Sequence, residues 1–262
     1  MIPDAIRELL DPTLARLSAL AARLRSVRPL APEFEASLVH RLRIELTHGS
    51  TAIEGNTLTL RETQLLIDEG LAPGGAKALR EIHETLNHHR AVLALQDWVN
   101  EGRPVSEDGL RELHRLVLQN IDDERSGRYR SARVMVAAAP RQPIHPDHIA
   151  TAMAELVDWV NGPAGHPVLI AAAAHYRFVK IHPFFDGNGR TGRLLLNWVL
   201  LRSGYPLTVI QASDRSRYLH ALDEADRDQP LDYYRFLSEC VERSLALYLS
   251  DDTGSDRRPN PV

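Results

Sequence analysis

Apolar residues recur along most of this chain at spacings of three and four, the period of an amphipathic α-helix. The pattern predicts helices over residues 4–26, 34–54, 60–69, 75–100, 107–120, 147–161, 167–180, 190–203, 214–226 and 231–249. Two stretches are predicted to be extended, namely 206–210 and a short hairpin in which 133–136 pairs with 143–145. We therefore predict a mainly α fold, a helical bundle with one short β-hairpin.

The sequence also indicates how the chain is divided. Thr59 and Glu62 have the spacing of a capping box, which marks the start of one helix. No repeat and no interdomain linker interrupts the helical pattern. We expect a helical N-terminal extension over 1–34, a main domain over 35–249 and a polar, proline-bearing, disordered tail over 250–262.

Charge and cysteine content argue against several classes of function. The chain has 262 residues, and its 31 Lys and Arg against 35 Asp and Glu give a net charge of −4. This mildly acidic balance argues against broad electrostatic binding to nucleic acid. The single cysteine, Cys240, excludes an intrachain disulfide framework and an all-cysteine metal site. Early acids and short apolar runs lead us to expect no signal peptide, no membrane span and a cytoplasmic location.

One twelve-residue segment concentrates the chemistry. It reads His182-Pro-Phe-Phe-Asp186-Gly187-Asn188-Gly189-Arg190-Thr-Gly192-Arg193. Pro183 ends the preceding helix and the next begins near Arg190, so two glycines lie between the helices. Backbone amides at such a helix N-terminus form a site for anions. The two arginines share a face of the first helical turn, where they oppose the helix dipole, and phosphates lying between them would account for that cost.

Two further residues of the segment suit chemistry on a phosphate. Asp186 supplies a hard carboxylate oxygen for Mg²⁺. His182 supplies an imidazole that takes a proton near neutral pH. A dinucleotide-binding loop is one alternative, because the glycines match GxGxxG, but that unit needs a preceding strand and a helix is predicted here. A purely structural loop is the other, and it would hardly collect His, Asp, Asn and two Arg.

The same residues carry a resemblance. The segment from His182 to Arg193 is similar to the signature HPFx(D/E)GNGRxxR of the Fic (filamentation induced by cAMP) family and matches it at every defined position. The flanking stretches 127–130, 158–161 and 175–181 agree with the family as well. The resemblance covers about residues 35–245 and implies a helical Fic fold. It also implies transfer of AMP from ATP to a hydroxyl side chain of a protein.

The resemblance implies a role for each residue of the segment. His182 is implied to be the general base that deprotonates the target hydroxyl, and Asp186 to hold Mg²⁺ between the α- and β-phosphates. The implied nucleotide-binding residues are Gly187, Asn188, Gly189, Arg190, Gly192 and Arg193. Among them Arg190 is implied to contact the β-phosphate and Arg193 the γ-phosphate. Relatives with lysine in place of Gly189 transfer phosphate instead, so the glycine favours AMP transfer.

A second motif, Ser50-Thr-Ala-Ile-Glu54-Gly55, lies upstream. Ser50 and Glu54 share one helical face, and Gly55 ends the helix. A carboxylate in the last turn opposes the helix dipole and is expected to have a cationic partner, although a solvated glutamate is the alternative. The motif resembles the inhibitory motif (S/T)xxxE(G/N) of the Fic family. That resemblance implies an inhibitory helix over about 37–54, in which Glu54 pairs with Arg193 and obstructs the γ-phosphate.

A third segment is predicted to dock the target. Its extended part consists of Arg133, Val134, Met135 and Val136, and prolines at 140, 143 and 146 make the far side irregular. In the Fic family the corresponding flap pairs with an extended target segment by strand addition. An ordinary surface hairpin is the alternative, because alanines at 137–139 replace the usual glycine-rich turn.

These features predict an autoinhibited protein adenylyltransferase with ATP as substrate and Mg²⁺ as cofactor. Its partner is a target protein with a Tyr, Thr or Ser hydroxyl, and a homodimer is left open. Removal of AMP from the same target, with Glu54 as the base for water, is left open as a second activity. Transfer of UMP or a phosphocholine moiety, and a nucleotide-sensing module without turnover, are the alternatives. We expect no direct nucleic-acid partner, no membrane partner and no zinc.

Overall fold

The computed structural model describes residues 4–74, 79–136, 140–162 and 165–250. Within those ranges the chain forms ten α-helices. They are α1 (Asp4–Val27), α2 (Pro32–Ile53), α3 (Leu60–Glu69), α4 (Leu79–Asn100), α5 (Glu107–Leu118), α6 (Ile149–Asn161), α7 (Pro167–Ile181), α8 (Asn188–Arg202), α9 (Arg215–Asp226) and α10 (Leu231–Leu249). No strand occurs in the described ranges, and the predicted mainly α fold is confirmed. Apart from Ser250, the predicted tail lies outside the described residues.

Helix α8 lies at the centre of the bundle, and every residue from Arg190 to Leu200 is buried. A helix enclosed on all sides must satisfy its polar as well as its apolar side chains inside the protein. Its main partner is α7, where alanines at 171–174 let the two backbones approach closely. Helices α2, α4 and α5 pack against its other sides.

Helix α1 packs along α10 at the edge of the bundle. Its buried residues recur at the helical spacing that the sequence predicts, and they are Ile6, Leu10, Leu14, Leu17, Ala21 and Leu24. They belong to the same continuous apolar core as the residues around α8. None of the described helices has the length and apolar character needed to cross a bilayer.

The helix boundaries agree closely with the predicted ones. The capping box is present, because the Thr59 hydroxyl accepts a hydrogen bond from the Glu62 N–H (3.2 Å) and the Glu62 carboxylate accepts one from the Thr59 N–H (2.8 Å). Helix α2 ends at Ile53, Glu54 is its C-cap residue, and Gly55 follows with φ +103°. Glu54 therefore lies just after the last helical residue of α2.

The segment 206–210 is buried but pairs with no strand in the described part of the chain. Its backbone is satisfied by a side chain of α8 instead. The Asn197 amide donates to the carbonyl oxygen of Thr208 (3.0 Å) and accepts from the Thr208 N–H (2.7 Å). One asparagine thus supplies both hydrogen bonds that a neighbouring strand would have made.

The predicted hairpin does not form as a pair of strands in the described residues, and that part of the prediction is corrected. A side chain replaces the ladder: the Val136 N–H donates to the Gln142 amide oxygen (3.0 Å), and the Gln142 amide donates back to the Val136 carbonyl (3.2 Å). Prolines at 140 and 143 lack the N–H donors that a ladder requires. The alanine turn at 137–139 lies outside the described residues.

Replacing Asn197 by alanine is expected to lower the free energy of unfolding by about 2–4 kcal/mol, because two buried backbone groups of Thr208 lose their partners. Urea denaturation followed by circular dichroism measures the change. Asn100→Ala, at the exposed end of α4, is the matched control and should change stability little. An Asn197→Ala protein as stable as the control would show that this asparagine does not hold the segment.

Candidate active site

The loop between α7 and α8 is held in shape by its own side chains. His182 ends α7 with φ +51°, and its N–H donates to the carbonyl of Phe178 (3.0 Å). Asn188 clamps the loop, because its amide donates to the Phe184 carbonyl and accepts from the Phe184 N–H, each at 2.9 Å. Gly187 precedes α8 with φ +76°, a conformation that side chains rarely adopt. The predicted contact of Asn188 with phosphate stays a prediction.

Arg130 ties this loop to the flap segment. Its buried side chain donates to the carbonyl of His182 (2.7 Å) and to that of Ala132 (3.0 Å), and it also bonds the carbonyl of Ile144. Its own N–H donates to the Pro183 carbonyl (2.9 Å). Arg130 belongs to the stretch 127–130 that agrees with the Fic family, but no role was predicted for it from the sequence.

His114 of α5 packs against the loop and hydrogen-bonds to it, and no role was predicted for this residue from the sequence. Its ring stacks on Phe184 with centroids 3.6 Å apart. The Gly127 N–H donates to His114 Nδ1 (2.9 Å), so the ring proton is on Nε2, which donates to the Asp186 carbonyl (2.9 Å). Burial lowers the pKa of His114 to about 4, which keeps this neutral form at physiological pH. No short motif surrounds His114, so only the tertiary structure shows its role.

His182 lies beside a small cavity. Burial lowers the pKa of its imidazole below the ordinary value, although a backbone hydrogen bond with Val179 raises it in part. The neutral ring is therefore the dominant form at pH 7, as a general base requires. The cavity is about 100 Å³ and connects the flap segment to α7 and α9. Its lining includes His182, Val136, Pro143, Tyr176 and Leu222.

The Asp186 carboxylate is held by two cations and a backbone amide. It accepts from the Gly187 N–H (2.6 Å), from Arg190 Nη2 (3.1 Å) and from Arg80 Nη2 (2.7 Å). Burial raises the pKa of Asp186, but the charges of Arg190 and Arg80 and the Gly187 N–H outweigh it and hold the pKa below its ordinary value. The carboxylate is ionised at neutral pH. Arg80 was not among the predicted site residues.

A magnesium ion fits this site only when other oxygen ligands, such as phosphates, complete its shell. Among the described residues, no group of three or more His, Cys, Asp or Glu side chains is placed to hold a metal. Asp186 has an ionised carboxylate and a side chain that is 47% exposed. Mg²⁺ is commonly bound by one or two carboxylates together with substrate phosphates and water. The donor set therefore fits an ion that arrives with phosphates.

Arg190 is a buried cation with unused donors. Its side chain is 2% exposed and contacts Asp186 and, at 3.4 Å, Glu84 of α4. Its Nε and Nη1 atoms are buried and have no hydrogen-bond acceptor among the described residues. Leaving such donors unpaired is costly, which fits a guanidinium that binds an anion. The sequence analysis named Arg190 but not Glu84.

Arg193 is also buried, and α2 supplies its partners. Its Nε donates to the Ser50 hydroxyl (2.9 Å), and its Nη2 donates to the Ser50 carbonyl (2.7 Å) and to Glu54 Oε1 (2.8 Å). Burial alone lowers the pKa of Arg193, but the adjacent Glu54 and Tyr218 raise it above the ordinary value. The structure thus brings together the two motifs that are 139 residues apart in the chain.

Glu54 also lies directly against Gly189 in the first turn of α8. A Cβ atom on Gly189 would lie 2.2 Å from Glu54 Oε1, which is closer than atoms can approach. The absence of a side chain at Gly189 therefore makes room for the carboxylate. An anion at a helix N-terminus interacts favourably with the helix dipole and the free amides. The Glu54 carboxylate therefore lies at the end of α8 where a negative charge is favoured.

The flap segment is mostly exposed. Arg133 and Met135 face solvent, and Met135 is 87% exposed. Val134 and Val136 are half-buried, and Val136 lines the cavity beside His182. The segment is thus next to the histidine and free to contact another chain.

The fold and the site define a class of protein in which a glycine-containing loop, a histidine and two buried arginines lie at the N-terminus of a buried helix. The family model described as Fic/DOC family matches residues 104–200. The crystal structure of a Fic domain containing signaling protein from Bacteroides thetaiotaomicron is similar, with a TM-score of 0.82 and 32% identity over 94% of this chain and 100% of that one. This chain belongs to the Fic/DOC family, and the predicted Fic fold is confirmed.

Two further proteins named Fic are similar to this chain over nearly its whole length. The structure of Fic-1 from C. elegans has a TM-score of 0.86 and 28% identity, and the match covers 97% of this chain and 76% of that one. The protein adenylyltransferase Fic of Drosophila willistoni is 34% identical over 249 residues, which are 94% of this chain and 49% of that protein. The chain spans about half the length of the curated relatives it matches.

Arg130→Lys is expected to lower the free energy of unfolding by about 2–4 kcal/mol, because a lysine ammonium cannot reach three separate carbonyls as the guanidinium does. Thermal denaturation measures the loss. The control is Arg128→Lys, an exposed arginine two residues away, which should leave the melting temperature unchanged. Equal melting temperatures for the two variants would refute the clamp.

Proposed function

We propose that this protein is an autoinhibited adenylyltransferase that transfers AMP from ATP to a Tyr, Thr or Ser hydroxyl of a target protein. One observation carries the proposal. The Glu54 carboxylate lies between Arg193 and Gly189 at the N-terminus of α8, where a polyphosphate would be bound. The relatives named as adenylyltransferases support ATP as the nucleotide.

The proposed reaction uses His182 as the base. The neutral imidazole takes the proton of the target hydroxyl, whose oxygen forms a bond to the α-phosphorus. The bond from that phosphorus to the bridging oxygen breaks, and pyrophosphate leaves. Arg190 and the amides of Gly187 and Gly189 stabilise the charge that develops on the phosphate oxygens. Mg²⁺ held by Asp186 would neutralise phosphate charge when it binds with the nucleotide.

Inhibition follows from competition for one cation. Arg193 is the proposed partner of the γ-phosphate, but Glu54 holds its Nη2 at 2.8 Å. A nucleotide that binds in the presence of Glu54 has its γ-phosphate displaced by charge repulsion, and its α-phosphorus is then misaligned for attack. The Glu54 side chain is 38% exposed, so it can leave Arg193 toward solvent without crossing the core.

Removal of AMP is a second proposed activity of the same site. Glu54 is close enough to His182 for its charge to raise the pKa of the imidazole. A carboxylate so near the proposed reaction centre would take a proton from a water molecule, whose oxygen attacks the phosphorus of the modified side chain. The bond from that phosphorus to the side-chain oxygen breaks, and AMP and the free hydroxyl are released. Transfer of UMP or phosphocholine has no observation in its favour.

The remaining assignments are proposals of the same kind. We propose that residues 35–249 form the catalytic unit, that 37–54 form its inhibitory helix, and that 1–34 are an N-terminal extension. An extended segment of the target would pair, by strand addition, with the backbone of the flap over 133–136. The cytoplasmic location and the homodimer remain proposals from the sequence.

His182→Ala is expected to lower transfer by about 10²–10⁴-fold while ATP binding persists, because the phosphate contacts lie on α8. In an active background, the acid limb of kcat/KM should have its midpoint below about 6.5, since the pKa of His182 is lowered and the base loses its neutral form only in more acidic buffer. Transfer measured with α-³²P-ATP from pH 5 to 8 tests both expectations. Undiminished labelling by His182→Ala would refute the assignment.

Glu54→Gly is expected to raise labelling by α-³²P-ATP well above wild type, because Arg193 is then free for the γ-phosphate. Its helix end should change little, since α2 already ends at Ile53, but loss of the carboxylate partner of the buried Arg193 should lower the melting temperature. Glu54→Gly combined with Arg193→Ala should lose most of the gain. Glu69→Gly, at the exposed last residue of α3, is a matched control that should not activate. A folded Glu54→Gly protein with unchanged labelling would count against autoinhibition.

A further inference from the structure

A row of buried polar side chains begins at Arg193, away from the loop. Tyr218 of α9 lies against the guanidinium, whose central carbon is 5.9 Å from the ring centre. His175 of α7 follows, and then Tyr233 of α10. His175 and Tyr233 are 0% exposed and Tyr218 is 2% exposed. None of these three side chains has a part in the proposed reaction.

The direction of each hydrogen bond in this row is determined from its far end. Tyr233 donates its only hydroxyl proton to the carbonyl of Ala172 (2.9 Å). Its oxygen therefore accepts from His175 Nδ1, which lies 2.7 Å away. A neutral imidazole that donates from Nδ1 must accept at Nε2, so the Tyr218 hydroxyl donates to His175 Nε2 (2.9 Å).

This orientation of the Tyr218 hydroxyl determines what Tyr218 offers to Arg193. Because the Tyr218 proton is committed to His175, the lone pairs of the Tyr218 oxygen are left for the guanidinium. Burial lowers the pKa of His175 to about 3, so the ring stays neutral and keeps this orientation across the physiological range. Arg193 thus has two sets of partners. Glu54 reaches it from the solvent side, and Ser50 and Tyr218 hold it from within.

We propose that Tyr218 is a positioning residue that keeps Arg193 in its nucleotide-binding place when Glu54 has left, and that His175 and Tyr233 act through it by orienting its hydroxyl. This inference rests on the proposed function, in which Arg193 binds the γ-phosphate of ATP. In this proposal the γ-phosphate of ATP replaces the Glu54 carboxylate on the solvent-facing side of the Arg193 guanidinium. The inner side keeps the same acceptors throughout, so the cation does not have to reorganise when the anion changes.

The test measures binding of ATP and ADP to the Glu54→Gly protein by calorimetry. The two nucleotides differ only in the γ-phosphate, so the ratio of their affinities reports on Arg193. Tyr218→Phe is expected to weaken ATP by about tenfold and to leave ADP within about twofold, because the ring that lies 5.9 Å from the guanidinium carbon loses its polar oxygen. His175→Leu frees the Tyr218 proton to face the cation and should weaken ATP in the same way.

The controls separate positioning from folding. Tyr234→Phe removes a buried hydroxyl from the next residue of α10, outside the row, and should leave both affinities unchanged. A general structural effect would weaken ATP and ADP together and would overturn the inference. So would a Tyr218→Phe protein that keeps the ATP-to-ADP ratio while Arg193→Ala loses it. An effect of Tyr218→Phe without one of His175→Leu would overturn the part assigned to His175.

The proposed function fails in a different way. If the Glu54→Gly protein binds neither nucleotide, or if Arg193→Ala leaves the ratio unchanged, the nucleotide site itself is assigned wrongly. Melting temperatures of all variants establish that they are folded before the affinities are compared. The positioning claim is thus decided by Tyr218 and His175, and the γ-phosphate claim by Arg193.

Discussion

Two guanidinium groups buried in the first turns of α8 determine how the surrounding helices are arranged. A buried charge is stable only when it is paired and hydrogen-bonded, so each arginine requires anions and acceptors from other parts of the chain. Arg190 draws on Asp186 of the loop and Glu84 of α4, and Arg193 draws on α2 and α9. These demands bring four separate segments to the same end of one helix. The N-terminal end of α8 therefore gathers charged and polar side chains around two buried cations.

The two arginines are not satisfied to the same degree, and the difference has a chemical meaning. Arg190 keeps two donor atoms without an acceptor among the described residues, whereas Arg193 is supplied by a carboxylate, a hydroxyl and a carbonyl. Arg190 therefore has donor atoms left for an anion, although it also pairs with Asp186 and Glu84, whereas Arg193 is occupied by Ser50 and Glu54. In the proposed function the γ-phosphate competes with Glu54 for the second cation, so one side chain at the end of α2 would be sufficient to regulate the reaction.

The sequence predicted the helices well because apolar periodicity is local, and it predicted the pairing of Glu54 with Arg193 only through the resemblance of two motifs. The side chains that hold the loop between α7 and α8 could not be predicted from the sequence. His114 contacts a carbonyl 72 residues away, and nothing in its neighbours distinguishes it from any histidine on an amphipathic helix. The hairpin was wrong as a pair of strands for a related reason. Extended character is visible in a sequence, but whether a strand or the side chain of Gln142 satisfies the backbone is decided by packing.

Exposure distinguishes the two ends of the Glu54–Arg193 ion pair. Ser50 and Arg193 are almost fully enclosed, so any change there would require α2 to separate from α8. Glu54 lies one helical turn later, as the C-cap residue of α2, and its side chain is 38% exposed. Moving this side chain needs only rotamer changes and solvation of a carboxylate, and the cation that it leaves keeps its inner acceptors. In the proposed function, regulation at this site would therefore need no rearrangement of the core, which is consistent with a helix α8 that is enclosed along nearly its whole length.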